Sequence, residues 1–221
     1  MKIAKLALIS TLATLSIASA NAATMFNATI DASQIVGGST SPGTGFGTAT
    51  LVGGPGTWSF QYDVTFEGYD FGALLLGVPT TPLDDQDDVR NFHIHIGDAG
   101  IAGPLTYSVR QPDFESGVDP VITILSASSA RIVGSWDLND GNPASAVGTN
   151  TAIGSLGTHW APLMLAATPG TRLGLYFDIH TNAFPGSAIR GQITAVPEPG
   201  SIALMFAGLG ALAAVARRRK V

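Results

Sequence analysis

RLGLYFDIHTNAFPGSAIRGQIT, residues 172–194, decides how this chain folds. Leu173, Leu175, Phe177 and Ile179 alternate with Gly174, Tyr176, Asp178 and His180, and a period of two marks a strand with one buried side. Residues 181–187 (TNAFPGS) then offer asparagine, proline and glycine for a turn, and residues 188–194 (AIRGQIT) return. The stretch reads as a β-hairpin.

Outward from it the same period recurs. Trp58, Phe60, Tyr62, Val64 and Phe66 take one face of a strand, and Ser59, Gln61, Asp63 and Thr65 the other. Over residues 90–96, Phe92, Ile94 and Ile96 alternate with Asn91, His93 and His95, which puts two imidazoles on the face opposite the apolar one. Further strands are expected over 25–36, 48–52 and 104–109, with weaker ones over 121–124 and 131–138. Glycine and proline turns separate them at 53–56, 97–103 and 139–143. Residues 144–158, rich in Ala, Gly, Thr and Ser, read as a loop or insertion. Residues 79–88 form an exposed loop carrying Asp84, Asp85, Asp87 and Asp88. Those carboxylates could gather a hard cation, but they lack the spacing and the turn glycine of an EF-hand loop, so the loop reads as a solvated acidic segment.

Between residues 23 and 196 there are fifteen acidic and five basic residues, none of them lysine, for a net charge of −10. Such a surface repels nucleic acid and anionic headgroups and favours cations. There is no cysteine, so neither disulfides nor thiol chemistry contribute. Stability must come from a core, and about 174 residues suit a single one.

The two ends are of different character. Lys2 and Lys5 precede an apolar stretch and then Ala18-Ser19-Ala20 and Ala20-Asn21-Ala22, the order of a secretory signal peptide cleaved after Ala20 or Ala22. At the other end Pro197, Glu198 and Pro199 lead into seventeen uncharged residues, 200–216, closed by Arg217, Arg218, Arg219 and Lys220. As a helix that run spans about 26 Å, the short edge of what a bilayer requires, and the basic cluster would stay on the cytoplasmic side. The prolines keep the triplet extended and exposed. This tail resembles the PEP-CTERM sorting signal of Gram-negative bacteria. The resemblance implies an exosortase as partner, a transient inner-membrane anchor, and delivery to the cell surface or extracellular matrix.

Three stretches of the interior resemble the CHRD domain, the module named after chordin: FGTATL after the first strand, FHIHIGDAGIAGPL, and LYFDIHTNAFPGSAIRGQI. The likeness covers about residues 25–195. It implies an all-β, antiparallel, Greek-key-like β-sandwich, flanked here by an N-terminal signal helix and a C-terminal transmembrane helix. The expected division is 1–22 signal peptide, 23–195 CHRD domain and 196–221 sorting signal. The acidic loop and residues 111–169 are expanded relative to the family pattern. The paired histidines are also similar to those of the copper/zinc superoxide dismutase sandwich, a likeness of fold only.

The candidate site is His93, His95 and His180. Two imidazoles two residues apart on one strand suit a shared transition metal, copper or zinc, and His180 lies on the polar face of its own strand. Asp178, two residues before it, is a candidate ligand or a group that orients an imidazole. The alternative is that the three histidines hydrogen-bond backbone or one another across a polar sheet face. Arg190 is expected to pair with Asp178 or Asp137 as a structural ion pair, and His159, beside Trp160, has no role. No GxSxG, no cysteine and no serine with a base partner supports nucleophilic catalysis, and the carboxylates are not paired for glycosidase work. Two functions are therefore expected: a non-catalytic adhesion or binding module, meeting extracellular polysaccharide or matrix protein, or an exported metal-binding protein or metalloenzyme.

Overall fold

The computed structural model describes residues 24–81, 86–110, 120–137, 140, 156–198 and 200. The signal helix, the transmembrane helix, Pro199, Asp84, Asp85 and most of the 111–155 stretch lie outside the described residues. Among those described, no helix is long and apolar enough to cross a membrane.

Among the described residues nine strands form: β1 (Thr24–Ile30), β2 (Thr44–Val52), β3 (Ser59–Glu67), β4 (Val89–Ile96), β5 (Leu105–Arg110), β6 (Val121–Ser126), β7 (Ser129–Asp137), β8 (Arg172–Thr181) and β9 (Ile189–Val196). All pairs are antiparallel, in the order β5-β4-β8-β9-β1-β2-β3-β7-β6. The all-β antiparallel expectation holds, and the two layers are halves of one continuous curled sheet. Tyr107 on β5 stacks on Trp136 of β7, ring centroids 5.5 Å apart, and its hydroxyl donates to the Ser135 carbonyl at 2.7 Å. Strands near opposite ends of the sheet thus meet across the core.

The alternations place that core. Phe60, Tyr62, Val64 and Phe66 of β3 are buried, as are Phe92 and Ile94 of β4 and Leu173, Leu175, Phe177 and Ile179 of β8. Phe92 joins the layers, edge-on to Phe66 at 5.1 Å and against Phe177 at 5.7 Å. Each such side chain contributes about 1.5–3 kcal/mol through burial, so this aromatic seam replaces the staples a cysteine-free chain lacks.

Several expected boundaries shift. The first strand ends at Ile30, not residue 36, because the Asp31 carboxylate accepts from the Ser33 amide at 2.8 Å and caps a 3-10 turn over Ala32–Gln34. The acidic loop is not wholly solvated: Asp88 is buried and Asp87 half-buried, and Asn182 donates to Asp88 at 3.4 Å. The end of the 144–158 stretch is helical, a π turn over Leu156–Trp160 running into α2 (Ala161–Ala166), which follows the short α1 (Gly72–Leu76). A proline in the first turn starts α2, and Trp160, Ala161 and Met164 anchor it in the core.

One consequence decides the rest. β8 is buried on both faces, so the side of the hairpin expected to be open and polar is covered. The covers are the loop over 97–103 and the turn over 181–187.

Candidate metal centre

In an antiparallel pair, residues directly opposite share a face. The β4–β8 register sets His95 against Tyr176, His93 against Asp178 and Asn91 against His180, and the β8–β9 register sets Tyr176 against Gln192 and Asp178 against Arg190. The covered face is therefore a patch of polar side chains in rows across three strands. Register shifts in the β4–β5 pairing fall between Phe92 and His93 and between Ile94 and His95, and such bulges re-aim the side chains beside them.

Within this patch the three histidines converge. One ligating atom from each of His93, His95 and His180 lies within 4.8 Å of the others. Ring centroids are separated by 5.5 Å for His93 and His95, 5.0 Å for His93 and His180, and 5.7 Å for His95 and His180. His93 and His180 are 6% and 8% exposed and His95 is half-buried, so the cluster lies beneath the surface and opens towards it at His95.

The tautomers of two rings follow from their partners. His95 Nδ1 is 3.0 Å from the Gly103 carbonyl, and His180 Nδ1 is 3.1 Å from the Pro185 carbonyl. A carbonyl oxygen only accepts, so both Nδ1 atoms carry the proton and both Nε2 atoms present a bare lone pair. Each of those Nε2 atoms is buried without a hydrogen-bond partner. A buried polar atom left so costs about 1–3 kcal/mol. Burial, opposed by the Gly103 hydrogen bond, pushes the His95 pKa down to about 4, and burial lowers that of His180 as well. Both rings stay neutral near pH 7. A neutral imidazole, Nδ1–H on a backbone carbonyl and Nε2 free, is the arrangement of a histidine that ligates a metal.

Asp178 stands outside the triad. It is 3% exposed, accepts a hydrogen bond from the Ser187 hydroxyl, and bonds to no imidazole. Burial, only partly offset by Ser187 and Arg190, pushes its pKa up to about 8. With His95, Tyr176, Ser187 and Arg190 it lines a pocket of about 460 Å³. The expected Arg190 ion pair is replaced by other bonds. Its guanidinium donates to the carbonyls of Ile101 and Asp98, each at 2.7 Å, to Gly97 at 3.3 Å and to Gln192 Oε1 at 2.8 Å. His159 lies edge-on to Trp160 at 4.8 Å. Pro197 is exposed and Glu198 half-buried, in neither helix nor strand, just beyond β9.

Sequence reasoning found the three imidazoles but not what orients them. The Gly103 and Pro185 carbonyls are backbone groups with no signature of type. Gly103 leaves an indirect one, since a methyl group there would run into the Ile96 carbonyl. Tyr176, stacked on His95 at 5.3 Å and 21°, was legible only as a residue of the polar face.

The family model of the CHRD domain matches residues 26–193, and that of the PEP-CTERM protein-sorting motif matches residues 195–220. No curated protein matches the chain, and no solved structure does.

Proposed function

Since the chain belongs to the CHRD-domain family and ends in a PEP-CTERM motif that directs an exported protein to exosortase processing at the cell envelope, we propose that it is a non-catalytic module that binds a divalent transition ion, zinc or copper, outside the cytoplasm. One observation carries this reading: three imidazoles, two buried and His95 half-buried, converge, and two of them present partnerless Nε2 lone pairs while backbone carbonyls hold their Nδ1 protons. Around a common zinc, at Zn–N distances of ~2.0–2.1 Å, the nitrogens would sit within about 3.5 Å of each other, so the rings need to draw in by about 1 Å. Rotation of the rings about their side-chain bonds supplies a movement of that size. Imidazole nitrogen suits both zinc and copper. The strong negative charge of the domain raises the local concentration of cations and supports the same reading. A signal peptide over 1–22 and transient anchoring through residues 200–216 would deliver the domain to the surface or extracellular matrix.

Metal analysis of the purified full chain after mild dialysis tests this. About one zinc or copper per chain is expected, with loss of that metal when His93, His95 and His180 are all replaced by alanine. A wild-type chain without stoichiometric metal ends the proposal.

A further inference from the structure

His95 reaches the cluster through a scaffold that contains neither of the other histidines. Its ring stacks on Tyr176. Over Tyr176 lies the Arg190 guanidinium, with Cζ 3.5 Å from the ring centroid. The aromatic ring is thus held between a cation and an imidazole. The same two residues grip the loop that supplies the His95 acceptor. Arg190 donates to the carbonyls of Gly97, Asp98 and Ile101, and Gln192 adds a bond to Gly97 at 2.9 Å. Tyr176 Oη accepts from the Gly103 amide at 3.1 Å. The Gly103 carbonyl then takes the His95 Nδ1 proton.

We propose that Arg190 and Tyr176 are positioning residues of the three-histidine centre: they hold the His95 ring in place and in its Nδ1–H tautomer, so that Nε2 faces His93 and His180. The proposal rests on the metal reading above for its purpose and on the stack and the loop for its geometry. Two restraints meet at one ring, since the Tyr176 face sets the plane of His95 and the pinned Gly103 carbonyl sets its proton. Arg190 serves both. A planar fork that stacks while donating to three carbonyls is a task for which lysine is no substitute. Arg190 is 2% exposed, and its guanidinium contacts face the loop and the Tyr176 ring.

The test is made on the full chain in detergent, labelled with 15N-histidine, with and without zinc. In the metal-free wild type the His95 ring is expected as a single Nδ1–H tautomer in the nitrogen NMR spectrum. R190M and R190K should give a mixture of tautomers and bind zinc roughly 10- to 100-fold more weakly. Y176L should behave likewise, whereas Y176F, which keeps the stacked ring, should stay closer to wild type. Should R190M not fold, R190K and the two Tyr176 variants carry the comparison. A folded R190K or Y176L with the wild-type tautomer and wild-type zinc affinity overturns the proposal, because a purely structural role would lower only the melting temperature. If R190K scrambles the tautomer of a wild-type ring that takes up no zinc, the positioning stands and the metal reading falls.

Discussion

Asp70 lies just before α1, 0% exposed, and accepts five hydrogen bonds. They come from the amides of Gly72, Thr80 and Thr81 at 2.6, 2.5 and 2.7 Å, and from the hydroxyls of Thr80 and Thr81 at 2.8 and 3.0 Å. Asp178, in β8, is also buried, at 3% exposed, yet among the described residues accepts only from Ser187. Burial pushes both carboxyls up. At Asp70 the donors of Thr81, Gly72 and Thr80 together outweigh it and the pKa falls, whereas at Asp178 burial prevails and the pKa rises to about 8. More donors and shallower burial together keep Asp70 charged, whereas Asp178, deeper and with a single hydroxyl donor, holds its proton. One region thus uses a carboxylate as a latch on its own loop. The other keeps a carboxyl and two imidazoles uncharged on one covered face, a polar region short of donors and rich in lone pairs.

Exchanging each carboxyl for its amide should separate the two regions most. D70N turns an acceptor of five donors into a group with two donors of its own, and should lower stability by about 3–5 kcal/mol. D178N is nearly isosteric with the protonated acid and should change it by less than about 1 kcal/mol near pH 4, where the folded and the unfolded carboxyl both hold the proton. Urea denaturation of both variants checks this, and equal losses would break the comparison.

An effect of similar size lies in the pH dependence of the metal-free chain, about 1.4 kcal/mol per pH unit. The folded pKa of Asp178 is raised above its unfolded value, so the native state holds the extra proton. The stability this contributes is full below about pH 4 and is lost as pH rises towards 8. Relative to D178N, the wild type should therefore lose stability steadily between pH 5 and 8 and level off above. A constant difference across that range, measured by urea midpoints, would show that Asp178 is ionised in the fold. Asp70 should show the opposite trend, its contribution fading only as pH falls below its ordinary range.

The smallest effect is expected at Asp63, a carboxylate in the open. It pairs with Arg131 at 2.5 Å, with side chains 39% and 52% exposed. Solvent and salt screen such a pair. R131A should move the denaturation midpoint least of these variants, and the shift should vanish in about 1 M salt. A shift that survives salt would mean the pair is more enclosed than its exposure implies.

How much of this was legible depends on whether the cause is local. The alternation in β3, β4 and β8 is local, and it placed Phe60, Phe92 and Phe177 in the core and His93 and His95 on one face. The end of β1 had a local cause as well, the Asp31 cap, but the apolar Ile35 and Val36 beyond it carried the apparent strand too far. Burial of Asp88 depends on Asn182, ninety-four residues away, so an acidic run read by itself pointed to solvent. The helical segment over residues 156–166 left one sign, a proline in the first turn, within a composition that suggested a loop.

The sequence by itself determined the strand-rich character, the hairpin of β8 and β9 and the shared face of His93 and His95, because each is written in the spacing of neighbouring residues, while the antiparallel class and the sorting tail were legible through resemblance to known families. Only the tertiary structure decided that His180 joins the two histidines, since that follows from the β4–β8 register. It alone decided that the polar face is covered, that Asp178 is neutral and that two rings carry their protons on Nδ1. These depend on backbone carbonyls and loops brought in from elsewhere in the chain. A carbonyl is the same at every residue, so no choice of amino acid announces the one that will meet an imidazole.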